Sequence, residues 1–171
     1  MLTINNSMDK KTIISLLLLV AGVLGLLLWG GSTASRGGDN ALVSSELVTA
    51  TALYDFGRIS MKDGNVRTRF SVTNPTSRDI TLKSIVTSCM CTEAFIVNGD
   101  LKRGPFGMPG HGGVVPKANE IIKAGETREI EVVYDPNAHG PAGVGPIGRF
   151  IYLIEEDEKT LELQIRAVVT P

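Results

Sequence analysis

Cysteine and histidine are nearly absent from this chain: two of each in 171 residues. Two cysteines cannot build a disulfide scaffold, so the fold has to be held by an apolar core. There is no excess of positive charge either. Lysine and arginine number 17 against 18 acidic residues, the formal net charge is -1 and the pI about 6.1. No basic field therefore invites nucleic acid, and no run of like charge reads as an interaction tail. A Gly-rich phosphate loop after a strand, a zinc-protease helix motif and a nucleophile elbow are all missing. The expectation is a protein that is not an enzyme, with no catalytic residues. No internal repeat is present, and no stretch past residue 45 carries a helical period.

What is there begins with a greasy segment. Ile13 to Trp29 is a run of seventeen residues without a charge. At ~1.5 Å per residue it nearly crosses a ~30 Å hydrocarbon layer. Lys10 and Lys11 stand before it, and no Lys or Arg follows until Arg36. Positive charge stays inside, which places the rest of the chain outside the cytoplasm. The expected plan is a cytoplasmic N-terminus at 1–11, a transmembrane anchor at 12–30, a flexible tether at 31–44 and a globular domain at 45–171. The partner implied by the anchor is the membrane itself, crossed once. The other reading is a signal peptide cleaved near Ser32-Thr33-Ala34, which would release the domain. No cysteine follows the run, so lipoprotein processing at that point is excluded.

The domain reads as short strands. Leu47 to Phe56 is rich in β-branched and aromatic residues and ends at Gly57. Val66, Thr68, Phe70 and Val72 alternate with Arg67, Arg69, Ser71 and Thr73, the period of a strand with one wet face. Asn74-Pro75 stops it. Ile80, Leu82 and Ile85 start a strand that runs towards Cys89, and Ala94 to Val97 is a short apolar piece. Residues 98–118 hold six glycines and three prolines and read as one long loop. Ile121-Ile122, then Ile130 to Tyr134, follow. A second Gly/Pro loop runs from His139 to Pro146. Ile147 to Glu155 and Leu161 to Val169 form a hairpin across a charged tip, where the carboxylates of Glu155, Glu156, Asp157 and Glu158 are expected to be solvated. About seven strands with frequent turns predict an all-β fold, an immunoglobulin-like antiparallel sandwich.

Four landmarks carry a resemblance. Asp55-Phe56-Gly57, Phe70-Ser71-Val72-Thr73-Asn74, Ser88-Cys89-Met90-Cys91-Thr92 and a glycine turn leading to Ile130-Glu131-Val132 resemble the bacterial family called domain of unknown function 1573. The likeness covers about residues 45–170. It implies an exported immunoglobulin-like sandwich, similar to the modules of major sperm protein and cilium-associated proteins, with no established enzymatic activity. This chain has Met90 where the family usually has glycine, and Ala124-Gly125 where it usually has Pro-Gly.

The two cysteines lie one residue apart. In an extended strand they would stand ~6.6 Å apart on one face, whereas a disulfide needs Cβ atoms ~3.5–4.5 Å apart. A bond would demand a sharp bend and would suit redox chemistry better than structure. A metal is easier to place, since two thiolates can stand ~4 Å apart on one ion. Cu(I) and Zn are the ions such donors suit. The candidate ligands are Cys89, Cys91, Met108 and His111. Met90 and His139 stand outside that main set, because antiparallel counting puts His139 at the opposite end of the sandwich. Small buried hydrophobes are an equally ordinary role for free cysteines.

Three functional readings follow. The first is a non-catalytic binding module for an unknown protein of the envelope, working through sheet edges or loops. The second is a soft-metal protein using the Cys-Met-Cys motif, and the third a thiol-redox protein. Apart from that metal, no cofactor is expected.

Overall fold

The computed structural model describes residues 19–20, 44–110 and 117–171. Apart from Leu19, Val20 and Ser44, the expected anchor and tether lie outside the described residues, and so does His111. Among the described residues no helix is long and apolar enough to cross a membrane. The chain divides into Met1–Ala41 and Leu42–Pro171, and the second unit carries the architecture.

That unit is a β-sandwich. Its strands are β1 (Val48–Thr49), β2 (Leu53–Ser60), β3 (Val66–Thr73), β4 (Ile80–Thr87), β5 (Thr92–Asn98), β6 (Leu101–Phe106), β7 (Glu120–Ile122), β8 (Thr127–Tyr134), β9 (Gly145–Glu155) and β10 (Thr160–Thr170). One sheet runs β1-β3-β8-β5-β6, the other β2-β10-β9-β4-β7. Phe70, Val72, Ile96, Ile130, Val132 and Tyr134 of the first sheet meet Ile80, Leu82, Ile85, Ile151, Leu153, Leu163 and Ile165 of the second in one buried cluster. The alternation along β3 and β10 is the one their residues predict: Phe70 and Val72 are buried while Arg69 and Ser71 are exposed.

Three features differ from the expected seven antiparallel strands. The run from Leu47 to Phe56 is two strands in different sheets. β1 pairs with β3, the chain crosses at Ala50-Thr51-Ala52, and β2 then pairs with β10 in parallel. Continuous β-branched composition hides that crossing. Gly57 does not end β2; Asp55 faces Arg166 and Arg58 faces Val168, so β2 has one extra residue there. Gly57 takes φ 68° in this bulge and donates its N–H to Asp55 Oδ1 at 2.7 Å. Lastly, the long loop contains β6, folded onto β5 through Gly99, whose φ of 59° suits the first central position of a tight hairpin turn.

Two buried polar residues organise the end of the sandwich where β3 finishes. Asn74 is fully buried. Its Nδ2 donates to the carbonyls of Arg78 (2.7 Å) and Ile122 (2.8 Å), and its Oδ1 accepts the Thr76 N–H at 3.0 Å. Glu155 is 2% exposed, not solvated. It accepts from the Ser45 hydroxyl and from the N–H groups of Glu46 (3.1 Å) and Leu47 (3.4 Å), clasping the segment by which the chain joins the domain.

Glu131 sits on the outward phase of β8 yet is buried. Lys102 and Arg69 flank it as ion pairs, and the Lys102 ammonium lies 4.0 Å over the Phe95 ring. The hydrogen bond from Lys102 lowers the carboxyl's pKa from its ordinary 4.5 against the opposing effect of burial, with Arg69 adding to the lowering.

Asn74→Ala leaves two carbonyls without their donor, one of them on buried Ile122. We expect a loss of about 2–3 kcal/mol in urea unfolding at unchanged slope. A loss of about 0.5 kcal/mol or less would contradict the role given to Asn74. The lowered pKa of Glu131 means that its contribution is fully present above 4.5 and is lost as pH falls through the folded value. Glu131→Gln is therefore expected to reduce the loss of stability as pH falls below 4.5. An unchanged acid slope would show that the carboxylate contributes nothing.

Candidate thiol site

β4 belongs to one sheet and β5 to the other, so the chain must cross between sheets within Ser88-Cys89-Met90-Cys91. The flanking hydroxyls satisfy this turn. Thr87 Oγ1 lies 3.1 and 3.0 Å from the carbonyl oxygens of Cys89 and Thr92 and donates between them. The Thr92 N–H closes the turn onto the Cys89 carbonyl at 3.1 Å. Ser88 is tied to β9 in both directions: its N–H donates to the Phe150 carbonyl (3.0 Å), and its hydroxyl accepts the Phe150 N–H (2.9 Å). The Asp135 N–H, just past β8, donates to the Cys91 carbonyl at 2.9 Å. Three separate parts of the chain are thereby pinned together.

Within the turn Cys89 and Cys91 form a disulfide. The turn supplies the bend that an extended strand lacks, with Cα atoms 5.2 Å apart. The two sulfurs differ in setting. Cys91 is 2% exposed, Cys89 is half-buried, and Met90 between them is 52% exposed. His139 Nε2 lies 3.1 Å from Cys89 Sγ. Arg149 Nε donates to Cys91 Sγ at 3.2 Å, and its Nη1 donates to the Gly148 carbonyl at 2.9 Å. Each sulfur therefore has its own nitrogen partner, an imidazole at Cys89 and a guanidinium at Cys91.

The loop bearing His139 is wound tightly. Asp135 Oδ1 accepts the Asn137 N–H at 2.8 Å, the Gly140 N–H donates to the Asn137 carbonyl at 2.8 Å, and a 3-10 turn runs over Gly140–Gly143. Gly143 is buried where a Cβ would stand 3.3 Å from the Pro136 carbonyl oxygen and 3.5 Å from His139 Cβ. Its lack of a side chain lets the loop close under the histidine.

His139 and Arg149 line a surface depression of ≈ 300 Å³ together with Val144, Pro146 and Ile147. On the other side Met90, Cys91, Glu93 and Asp135 line a smaller one of ≈ 130 Å³. Burial pushes the Tyr134 phenol up, with the nearby Arg149 charge opposing it and Asp135 adding to it. Tyr134 is thus a neutral wall at physiological pH.

The strand count that set His139 at the far end is overturned. β6 adds one reversal, so β8 arrives with Tyr134 opposite Thr92 and delivers His139 to the cysteines. Among the described residues, Cys89, Cys91 and His139 form a cluster whose sulfur and nitrogen atoms all lie within 4.8 Å of one another. Met108 is half-buried in the segment after β6, beside Gly107, whose carbonyl accepts the Thr87 N–H at 3.2 Å. Arg149 was not singled out from the sequence, although a signal exists. It shares the inward phase of β9 with Ile151 and Leu153, where a charge needs a reason.

No family model matches the sequence, and no curated protein matches it. Solved structures resemble its fold. A protein of unknown function from Porphyromonas gingivalis W83 is similar at TM-score 0.53 and 14% identity, over 78% of this chain and 51% of that one. The chain thus spans about half the length of that relative. A family 123 glycoside hydrolase from Clostridium perfringens gives a TM-score of 0.49 at 8% identity, over 70% of this chain and 23% of that one. The CupB2 chaperone of Pseudomonas aeruginosa gives 0.40 at 12% identity, over 71% and 55%. Only the first is close enough to bear on the fold, and at its level of identity it bears on nothing else. Among the described residues, 44–110 and 117–171 form a β-sandwich with a disulfide at one end.

Proposed function

We propose that this is a binding module of the bacterial envelope that exchanges its Cys89–Cys91 disulfide with the thiols of a protein partner. One observation carries the reading: the sulfurs are unequally exposed, and each is in contact with a group able to stabilise a thiolate. Reactive cysteines sit in such electropositive, partly exposed settings. The uncharged run before the domain and the resemblance to an exported family support an oxidising compartment, where a disulfide persists. The segment clasped by Glu155 enters the domain at the end of β9 away from Phe150, which holds the disulfide turn.

Exchange proceeds by displacement. A partner thiolate attacks Cys89, the more accessible sulfur. The bond between Cys89 and Cys91 breaks, and its electron pair leaves on Cys91, where Arg149 stabilises the charge. A second partner thiolate then attacks the partner sulfur of the mixed disulfide and releases Cys89 beside His139. The partner dithiol is oxidised, the Cys89–Cys91 pair is reduced, and two protons pass from the partner's thiols to this pair. The reverse sequence oxidises the pair at the expense of a partner disulfide.

In the Cys91→Ser variant, Cys89 lacks its internal partner. It is expected to form a stable mixed disulfide with glutathione disulfide, read as a mass increase of one glutathionyl group. Cys89→Ser should form the adduct far more slowly, because Cys91 is buried. His139→Ala in the Cys91→Ser background should slow attack by about tenfold. Equal rates from the two single-serine variants, or no adduct from either, would refute the exchange mechanism.

A further inference from the structure

We propose that the reduced site is a Cu(I) centre, in which Cys89 Sγ, Cys91 Sγ and His139 Nε2 hold one monovalent ion and Arg149 supplies the balancing charge outside it. This rests on the same two sulfurs as thiol exchange, but not on exchange taking place.

The donors are already gathered. All three ligand atoms lie within 4.8 Å of one another. Around a single ion, sulfur at ~2.3 Å and nitrogen at ~2.0 Å stand roughly 3.5–4 Å apart. Once the disulfide is reduced, the sulfurs need only separate within a turn whose Cα atoms are 5.2 Å apart. The ends of that turn are held by Ser88 on β9 and by the Asp135 N–H, so the separation is taken up locally. His139 is exposed, so its ring can follow the ion.

Donor type and number select the ion. Two thiolates and an imidazole are a soft set that suits Cu(I). Structural zinc sites usually close with four ligands, whereas this cluster offers three. Two thiolates with one monovalent ion leave a charge of −1, which the Arg149 guanidinium cancels. Glu93 and Asp135 line the depression on the Met90 side. The Asp135 carboxylate accepts the Asn137 N–H at 2.8 Å, which orients it within its own loop. Met90, at 52% exposure, is not needed as a ligand.

Copper and the disulfide exclude each other. Opening the bond consumes two electrons and two protons, supplied by a dithiol reductant that becomes a disulfide. Cu(I) then displaces both thiol protons to solvent. The metal-loaded state is therefore reached only after reduction.

The test is an anaerobic titration of the reduced full-length chain in detergent with Cu(I), against a chromogenic Cu(I) chelator, with X-ray absorption to report the donor atoms. One Cu(I) per chain is expected, in a shell of two sulfurs and one nitrogen, and the oxidised chain should take none. Cys89→Ser with Cys91→Ser should abolish uptake. His139→Ala, a change at an exposed residue, should weaken binding by about 10- to 100-fold and remove the nitrogen, while Arg149→Gln should weaken it by about tenfold. Uptake by the reduced chain no greater than by the double-serine variant would overturn the proposal, as would an unchanged shell in His139→Ala. Zn(II) displacing Cu(I) at equal concentration would overturn the assignment of the ion. Loss of copper uptake would leave glutathione adduct formation by Cys91→Ser unaffected, so this proposal and thiol exchange fail separately.

Discussion

The crossing from β4 to β5 is the constraint from which the rest of this end follows. A chain that leaves one sheet and enters the other within four residues exposes backbone groups that neither ladder can satisfy. Here the carbonyls of Cys89 and Cys91 are met by the Thr92 and Asp135 N–H groups, and Ser88 is met from both sides by Phe150. Satisfying the turn therefore draws β8 and β9 to it. Arg149, beside Phe150 on β9, and His139, in the loop after β8, are carried to the sulfurs as a consequence. The proposed chemistry uses what backbone hydrogen bonding had already brought together.

The charges withdrawn from solvent in this domain each meet fixed partners. Glu131 faces Arg69 directly across the β3–β8 pair, and Lys102 reaches it over Phe95. Glu155 lies at one end of the inward row of β9 and accepts two backbone N–H groups. Arg149 lies at the other end of that row and donates to a carbonyl and a sulfur. Each has partners that offset the cost of leaving water. The two ends of β9 thus serve different tasks, holding the incoming chain at one and addressing the disulfide at the other.

Much of this was legible in the residues. Period-two alternation marks β3 and β10, Asn74-Pro75 marks a stop, and the charged tip between β9 and β10 marks a hairpin. The special position of Cys89 and Cys91 was equally plain. What escaped was connectivity, because periodicity reports which face a residue takes and not which sheet its strand joins. The run through Val48 and Tyr54 reads as one strand although it serves two sheets. β6 hides among glycines and a proline, since an exposed edge strand needs little apolar content. That one missed strand reversed the direction assigned to β8 and sent His139 to the wrong end. Glu155 was misjudged for a related reason: its neighbours in sequence are solvated, while its hydrogen-bond donors come from residues more than a hundred positions away.

The most direct test of the account is a comparison of backbone and histidine side-chain NMR spectra of the full-length chain, oxidised and reduced. If three parts of the chain converge on the sulfurs, reduction will move resonances in residues 87–92, at Asp135 and His139, and at Gly148 to Phe150. Asn74 and the Glu155–Thr160 hairpin, at the other end, will stay still. Changes confined to residues 87–92, with His139 and Arg149 unmoved, would contradict the convergence on which both proposals stand.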